Sequence, residues 1–243
     1  MEITDVNTLF GAYPSQHSDS TAETLTEAMR AQGVDWCLAL STWGLFHSAA
    51  EGNAETMRAC KAHDHLIPVA TINPVHFWGQ EGQMESIAED AFEMFRFFPQ
   101  LQGWPLEYAP FIRILSVLGR LERMPIMVGI HQPGDATQLV RLLDDFPHPV
   151  VLEGVSSRTL TEAIALMRVH ENLYLETHAL TAPYALIMLQ DTVGTGRILF
   201  GSDAPGQSLA AALSYVRSSG LTEADQNAIL SLNAQAIWQG GGE

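Results

Sequence analysis

Short apolar segments of β type alternate with amphipathic helical segments along the chain, and this alternation limits the fold more than any other feature. Segments such as 126–128 and 150–152 are apolar without interruption, as expected for strands buried on both faces of a parallel sheet. Eight strands alternating with helices indicate either a closed β/α barrel or an open doubly wound sheet. The predicted strands are residues 3–6, 35–40, 66–72, 94–98, 125–130, 149–152, 173–176 and 198–201.

The segments between the predicted strands carry helix start signals. Ser20-x-x-Glu23 and Thr159-x-x-Glu162 read as capping boxes, and Thr222 begins a last helix that we expect to close a barrel. No G-x-G-x-x-G follows the first strand, which disfavours an open nucleotide-binding sheet. The 243 residues also agree with the size of one barrel, ~250 residues. The sequence therefore predicts an α/β fold: a single (β/α)8 TIM barrel with a C-terminal closing helix, as one domain over residues 1–243.

Composition and charge exclude several classes of protein. The chain holds 12 Lys and Arg against 28 Asp and Glu, and its formal charge of −16 would repel nucleic acid. No apolar run approaches the ~18 residues that span a bilayer, and the first residues lack a signal-peptide pattern. Cys37 and Cys60 read as buried thiols without a disulfide. We expect a cytoplasmic protein with a small-molecule substrate, no nucleic-acid partner and no membrane contact; a homo-oligomer is left open.

Six segments, in order along the chain, carry a resemblance to a known family. The Gly201-Ser202-Asp203-Ala204-Pro205 block at the predicted eighth strand is the most specific of them. Together the segments are similar to the second amidohydrolase family of the amidohydrolase superfamily, a group that includes metal-dependent decarboxylases and lactone hydrolases. They are residues 5–11, 68–74, 125–131, 171–177, 197–205 and 232–234.

The resemblance implies a TIM barrel that holds a divalent metal at the C-terminal ends of its strands. In that family the first strand ends Asp-x-His-x-His, the fifth and sixth strands each supply a histidine, and the eighth supplies an aspartate. Here His131 matches the fifth-strand histidine and Asp203 matches the eighth-strand aspartate. Asn7 and Leu9 stand where the first-strand histidines belong, and the sixth strand offers Glu153 or Gly154 where a histidine is expected.

These replacements predict a degenerate metal site. A catalytic zinc usually has three protein ligands, leucine cannot coordinate a metal, and an amide oxygen is a weak donor for zinc. No cofactor is therefore expected. The alternative is one divalent metal, zinc, bound weakly through His131 and Asp203, with Glu153 or His178 recruited to complete the site.

Some relatives in the family also carry asparagine at the first-strand position. That similarity implies an altered pocket, to which Asn7, His47 and Arg96 would belong, rather than random decay of the site. Glu176, two residues before His178, has the same strand parity, so both side chains can face the barrel axis if the extended backbone persists.

Residues just beyond the strand ends are the site candidates, because barrel active sites form there. Asp203 and His131 are the predicted catalytic residues, since a carboxylate near an imidazole can transfer protons. An arginine can bind a carboxylate through two parallel hydrogen bonds. The predicted substrate-binding residues are Arg96, Asn7, His178, Glu153 and His47.

Each candidate also has a structural alternative. Asp203 can cap the next helix, His131 can tie down its loop through a backbone hydrogen bond, and Arg96 with Glu153 can be a structural ion pair. The predicted function is that of an amidohydrolase-like hydrolase or lyase acting on a small acidic molecule. The alternative is a non-catalytic barrel of this family that binds a small ligand in the same pocket.

Overall fold

The computed structural model describes residues 2–14, 20–79, 82, 84, 87, 91–143 and 146–238. Within them, eight parallel strands form one sheet in which each strand pairs with the next along the chain. The strands are β1 (Thr4–Phe10), β2 (Trp36–Ser41), β3 (Leu66–Thr71), β4 (Met94–Phe97), β5 (Ile126–Gly129), β6 (Val150–Glu153), β7 (Leu173–Glu176) and β8 (Ile198–Leu199).

Backbone hydrogen bonds between β1 and the segment after β8 close the sheet on itself. The amide of Val6 donates to Phe200 O at 2.9 Å, and the amide of Asp203 donates to Asn7 O at 2.9 Å. The amide of Leu9 in turn donates to Ala204 O at 2.8 Å. A nearly closed barrel of eight parallel strands alternating with helices is a (β/α)8 TIM barrel, which confirms the predicted fold.

Helices separate the strands and cover the outside of the barrel. The described helices are α1 (Ala22–Gln32), α2 (Thr42–Phe46), α3 (Ala49–Ala62), α4 (Pro99–Gln102), α5 (Ala109–Leu118), α6 (Asp135–Arg141), α7 (Leu160–Met167), α8 (Ala185–Val193), α9 (Leu209–Arg217), α10 (Glu223–Asn227) and α11 (Asn233–Trp238). A 3-10 turn covers Pro74–His76, and a π-helical segment, Ala228–Leu232, joins α10 to α11.

The predicted closing helix exists and is tied to β8. Thr222 caps its start by accepting from the amide of Asp225 at 3.2 Å. The Asn233 side chain donates to the carbonyls of Thr195 and Ile198, both at 2.8 Å. The segment from α10 to α11 therefore holds the last strand in place through hydrogen bonds as well as apolar packing.

Strand parity decides which side chains reach the barrel interior. Met94, Met127, Val151 and Leu199 pack in the cluster inside the barrel. Their neighbours in sequence face the helices instead: Phe95, Phe97, Ile126, Val128, Val150, Leu152, Ile198 and Phe200. Because side chains alternate along a strand, the inner positions two residues further on fall at the C-terminal mouth. They are Arg96, Gly129, Glu153 and Gly201, with Glu176 at the matching level of β7.

Some predicted boundaries differ from the structure. The first strand was expected at residues 3–6 but extends over Thr4–Phe10, with a shift in register against β2 between Asp5 and Thr8. It continues because its last residues pair with both β2 and the segment after β8, a tertiary contact that local pattern does not reveal. The cap of α1 is Thr21 rather than Ser20, and Thr159 makes no side-chain cap hydrogen bond. Within the described part of the chain, no helix has the length and apolar character needed to cross a membrane.

Candidate active site

A cavity of about 360 Å³ opens at the C-terminal ends of the strands. Charged and polar side chains occupy one part of its wall, and apolar or aromatic side chains occupy the rest. The lining residues are Leu9, Tyr13, Arg96, Phe98, Gln100, Leu101, Gly129, His131, Glu153, His178 and Asp203. Five of the seven sequence-predicted site residues are in this lining. The mouth of the strands is also where active sites of this fold form.

Arg96 and Glu153 form a buried, bidentate ion pair between β4 and β6. Nε of Arg96 donates to Oε2 of Glu153 at 2.9 Å, and Nη2 donates to Oε1 at 2.5 Å. The guanidinium carbon also lies 4.7 Å from the centre of the Phe98 ring. The arginine that was predicted to clamp a substrate carboxylate therefore has two of its donors engaged by a protein carboxylate.

Glu176 and His178 form a second pair at the end of β7. Oε1 of Glu176 lies 2.6 Å from Nδ1 of His178, and Oε2 accepts from the His178 amide at 2.8 Å. The Gly154 amide donates to Oε1 at 2.9 Å. Burial alone would lower the pKa of His178, but the Glu176 carboxylate outweighs it and raises that pKa to about 9. The contact between Nδ1 and this fully buried carboxylate therefore favours the imidazolium form of His178.

Asn7 lies beneath this pair and is fully buried. Its Nδ2 is 3.2 Å from Nδ1 of His178, while its Oδ1 has no hydrogen-bond partner. The single hydrogen on Nδ1 points to Glu176, so Asn7 is a close neutral neighbour of the ring and not a second hydrogen-bond partner of Nδ1. Asn7 is not in the cavity lining itself, so the structure places it as a neighbour of His178 rather than as a wall of the cavity.

Asp203 reaches the cavity from the loop after β8. Its backbone adopts a left-handed conformation, with φ of 58°, which is uncommon outside glycine but better tolerated by Asp and Asn than by other residues. Burial raises the pKa of its carboxyl group, and the nearby charges of His178 and Arg96 partly oppose that rise. In the described part of the chain, its carboxylate makes no hydrogen bond to another side chain or to the backbone.

The two remaining sequence-predicted histidines lie in different surroundings. His131 lines the cavity beside Gly129, and its amide donates to Asp135 at 2.9 Å. His47 ends α2 on the exposed surface, where its ring stacks on Trp43 at 4.1 Å, and it is outside the cavity lining. The proposed catalytic pairing of Asp203 with His131 stays a prediction. The charges that act on Asp203 come from His178, Arg96, Glu153 and Glu176.

Sequence reasoning did not select the apolar and aromatic wall. Tyr13, Phe98 and Leu101 line the cavity, and Tyr13 packs edge-on against Phe46 at 5.2 Å. Phe98 follows Arg96 by two residues at the end of β4, so strand parity was a usable signal for it. Tyr13 lies in a loop, and nothing in the local sequence pattern marks it.

The chain matches the family model described as Amidohydrolase over residues 79–240, two thirds of its length. It belongs to the amidohydrolase family, as the six segments predicted. The matched part begins after β3, so the altered first strand with Asn7 and Leu9 lies outside it. Among curated proteins, no sequence matches the chain.

Solved structures share the fold at low sequence identity. A 2,6-dihydroxybenzoate decarboxylase complexed with 2,6-dihydroxybenzoate has a TM-score of 0.78 and 14% identity, with 98% of this chain and 99% of that chain covered. A candidate 2-pyrone-4,6-dicarboxylic acid hydrolase from Pseudomonas putida has a TM-score of 0.76 and 16% identity, covering 100% and 99%. A dihydroxybenzoic acid decarboxylase from a Polaromonas species, with bound manganese and 2-nitroresorcinol, has a TM-score of 0.75 and 14% identity, covering 100% and 98%.

The manganese in that decarboxylase corrects the expectation that no cofactor is involved. Neighbours of this fold are crystallised with bound manganese, which contradicts the expectation of a site without any cofactor. In the residues that the structure describes, no three His, Cys, Asp or Glu side chains lie close enough together to hold a metal. This arrangement of side chains does not fit a three-ligand site. The reaction steps proposed for this site therefore involve only its own side chains.

Proposed function

We propose that this chain is an amidohydrolase-family enzyme that removes the carboxyl group of a small aromatic carboxylic acid. The observation that carries the proposal is the make-up of the cavity, which combines aromatic and apolar walls with two cationic side chains and a partly buried aspartate. Decarboxylases of hydroxylated benzoates share the fold, which supports the same class of substrate. The cavity of about 360 Å³ has room for one substituted benzene ring.

The charge balance of the site supports Asp203 as the acid. Two cations, Arg96 and His178, face three carboxylates, those of Glu153, Glu176 and Asp203. Binding of a substrate carboxylate adds a further negative charge. This charge favours the protonated form of the carboxyl group that has the highest pKa in the site. Burial already raises the pKa of Asp203, so binding of an anionic substrate favours proton uptake at this residue.

The reaction needs a proton at the ring carbon that loses its carboxyl group. The acidic proton of Asp203 passes to that carbon, the bond between the carbon and the carboxyl group breaks, and carbon dioxide leaves. Asp203 remains as a carboxylate and takes a proton from water before the next cycle. The apolar wall formed by Leu9 and Phe98 favours this step, because it keeps water away from the ring carbon that receives the proton.

Hydrolysis of a carboxylated lactone is a second candidate. It is favoured by the carboxylate of Asp203, which makes no protein hydrogen bond among the described residues and can accept a proton from an attacking water. The similarity to a candidate 2-pyrone-4,6-dicarboxylic acid hydrolase points to the same chemistry. In this reaction Asp203 acts in its ionised form, so the two candidates require opposite protonation states of one residue.

One assay separates these functions. The purified protein is incubated with 2,6-dihydroxybenzoate, 5-carboxyvanillate or 2-pyrone-4,6-dicarboxylate, with and without added manganese, and carbon dioxide release and ring opening are both followed. Release of carbon dioxide from a hydroxybenzoate supports the decarboxylase. Ring opening of the pyrone alone supports the hydrolase. Tight binding of these acids without turnover under either metal condition contradicts both and supports the ligand-binding barrel.

A further inference from the structure

We infer that the end of β7 is the subsite for the substrate's carboxylate: His178 binds the anion through Nε2, and Glu176 is the positioning residue that orients the ring. For its ligand this inference rests on the proposed function. The Glu176–His178 arrangement itself can be tested without any substrate. The family resemblance placed chemistry at strands one, five, six and eight, so this assignment moves anion binding to a strand that it left without a role.

Arg96 is not the best hydrogen-bond donor for a substrate carboxylate in this cavity, although arginine often has that role. Its Nε and Nη2 both bind Glu153, so one of its two bidentate faces is occupied and its charge is already paired with a carboxylate, which makes it a weaker partner for a second anion. His178 is the other cation in the lining. Its Nδ1 is held by Glu176, which leaves Nε2 as the ring nitrogen available to a ligand in the cavity.

Burial and hydrogen bonds hold the Glu176 side chain in one position. It is fully buried and accepts from three donors: the Gly154 amide, the His178 amide and Nδ1 of His178. Its carboxylate needs the space left by Gly201, since a Cβ at that glycine would lie 2.3 Å from Oε2 of Glu176. The glycine of the block most specific for the family therefore makes room for this carboxylate.

The charges around His178 favour its cationic form. Glu176 contacts it directly, Glu153 and Asp203 add negative potential from β6 and the loop after β8, and Asn7 faces it as a neutral amide. Arg96 opposes them, but its charge is balanced at close range by Glu153. An imidazolium donates a stronger hydrogen bond to a carboxylate than a neutral ring does.

The first experiment observes the His178 ring in the protein without ligand. Histidine side chains are labelled with 15N, and the His178 signals are identified by their loss in His178→Gln. At neutral pH the wild type is expected to show both ring nitrogens protonated. Glu176→Gln removes the charge and should give a neutral ring, whereas Glu176→Asp keeps the charge and should restore the cation at least in part.

Gly201→Ala provides a second route if Glu176→Gln does not fold. Its added Cβ pushes the carboxylate away from the ring without changing any ionisable group, and the same loss of ring protonation is expected. A neutral His178 in the wild type overturns the positioning role. So does a ring that stays fully protonated in both Glu176→Gln and Gly201→Ala.

The second experiment tests whether His178 binds the carboxylate of the ligand. Binding of 2,6-dihydroxybenzoate is compared with binding of resorcinol, which lacks the carboxylate, in the wild type, in His178→Gln and in the surface control His63→Gln. We expect His178→Gln to weaken binding of the acid by roughly 10- to 100-fold, the worth of one charge-assisted hydrogen bond, and to leave resorcinol unaffected. Equal weakening of both compounds, or none, contradicts the subsite. A wild type that binds neither compound contradicts the proposed function and the subsite together, while the ring spectrum still decides the role of Glu176.

Discussion

Asp5 and Asp203 lie on opposite sides of the seam where β1 meets the segment after β8, and they are used in different ways. Asp5 is fully buried and accepts from the amides of Asn7 and Ser202, both at 3.0 Å, and from the Ser202 hydroxyl. Asp203 has no such partners among the described residues and lines the cavity. Burial raises the pKa of both carboxyl groups.

This comparison suggests a structural role for Asp5 and a chemical role for Asp203. The carboxyl group of Asp5 accepts from backbone groups that would otherwise be buried without partners, so we expect it to help hold the barrel closed. The carboxyl group of Asp203 is only partly buried and accepts no hydrogen bond from the described residues, a situation that is common at reactive groups. Matched substitutions at these two positions test whether this division is correct.

The largest expected effect is the loss of turnover in Asp203→Asn. Asparagine keeps the shape of the side chain and tolerates the left-handed backbone, but it can neither donate an acidic proton nor act as a base. We expect turnover to fall at least ~100-fold, the usual contribution of a group that transfers a proton. Steady-state kinetics and a thermal melt of the same preparation measure it.

Asp5→Asn is the matched control for that loss, because it makes the same change outside the cavity. It should retain turnover within a few-fold of the wild type. Equal loss of activity in both variants would mean that Asp203 also acts through the fold. An Asp203→Asn protein with a much lower melting temperature and unchanged kinetics would make Asp203 a structural residue.

The next effect in size is on stability. Asp5→Ala leaves the amides of Asn7 and Ser202 buried without an acceptor, and each such group costs ~1–3 kcal/mol. We expect the free energy of unfolding to fall by roughly 2–5 kcal/mol in urea titrations near pH 6. A loss under about 1 kcal/mol would show that β1 and β8 are held together by their backbone pairing and apolar packing alone.

The last prediction concerns the pH dependence of stability. Burial raises the pKa of Asp5 to about 7, against the ordinary value of 3.8, and the Ser202 hydrogen bonds only partly oppose this. The folded protein therefore holds a proton at Asp5 that the unfolded chain has lost. Stability from this group is complete below about pH 4 and declines as the pH rises through 7.

Asp5→Asn stays neutral and should flatten that decline. Urea titrations of the wild type and of Asp5→Asn at a series of pH values between 4 and 8 are expected to diverge as the pH rises, with the variant relatively more stable at the upper end. Parallel curves would mean that Asp5 is ionised throughout this range and that its hydrogen bonds outweigh its burial.

The fold was predictable from the sequence because its signals are local and repeated. Short apolar runs such as residues 150–152 can be recognised one by one, and eight predicted strands alternating with helices leave few architectures. The region that matches the family, residues 79–240, contains the predicted strands from residues 94–98 onward. The end of β1 was missed because residues beyond Val6 are held by pairing with Ala204, almost two hundred positions away in the chain.

The candidate site was predictable only in outline. Position after a strand end placed Arg96, His131, Glu153, His178 and Asp203 at one cavity. The same reasoning included His47, which stacks on Trp43 outside the lining, because βα loops differ in where they lead their residues. The sequence left Arg96 open between a substrate clamp and an ion pair with Glu153, and the folded structure, which brings together residues 57 positions apart, shows the ion pair.

The order of residues along this chain was enough to establish the barrel, the family and the ring of polar positions at its mouth, because period-two alternation acts within each strand. The pairing of those positions is a property of the folded barrel. Strands far apart in sequence bring their ends within hydrogen-bond distance. Because an unpaired buried charge is costly, the charged side chains there form pairs. That choice joins Arg96 to Glu153, His178 to Glu176 and Asp5 to Ser202, and leaves Asp203 facing the cavity.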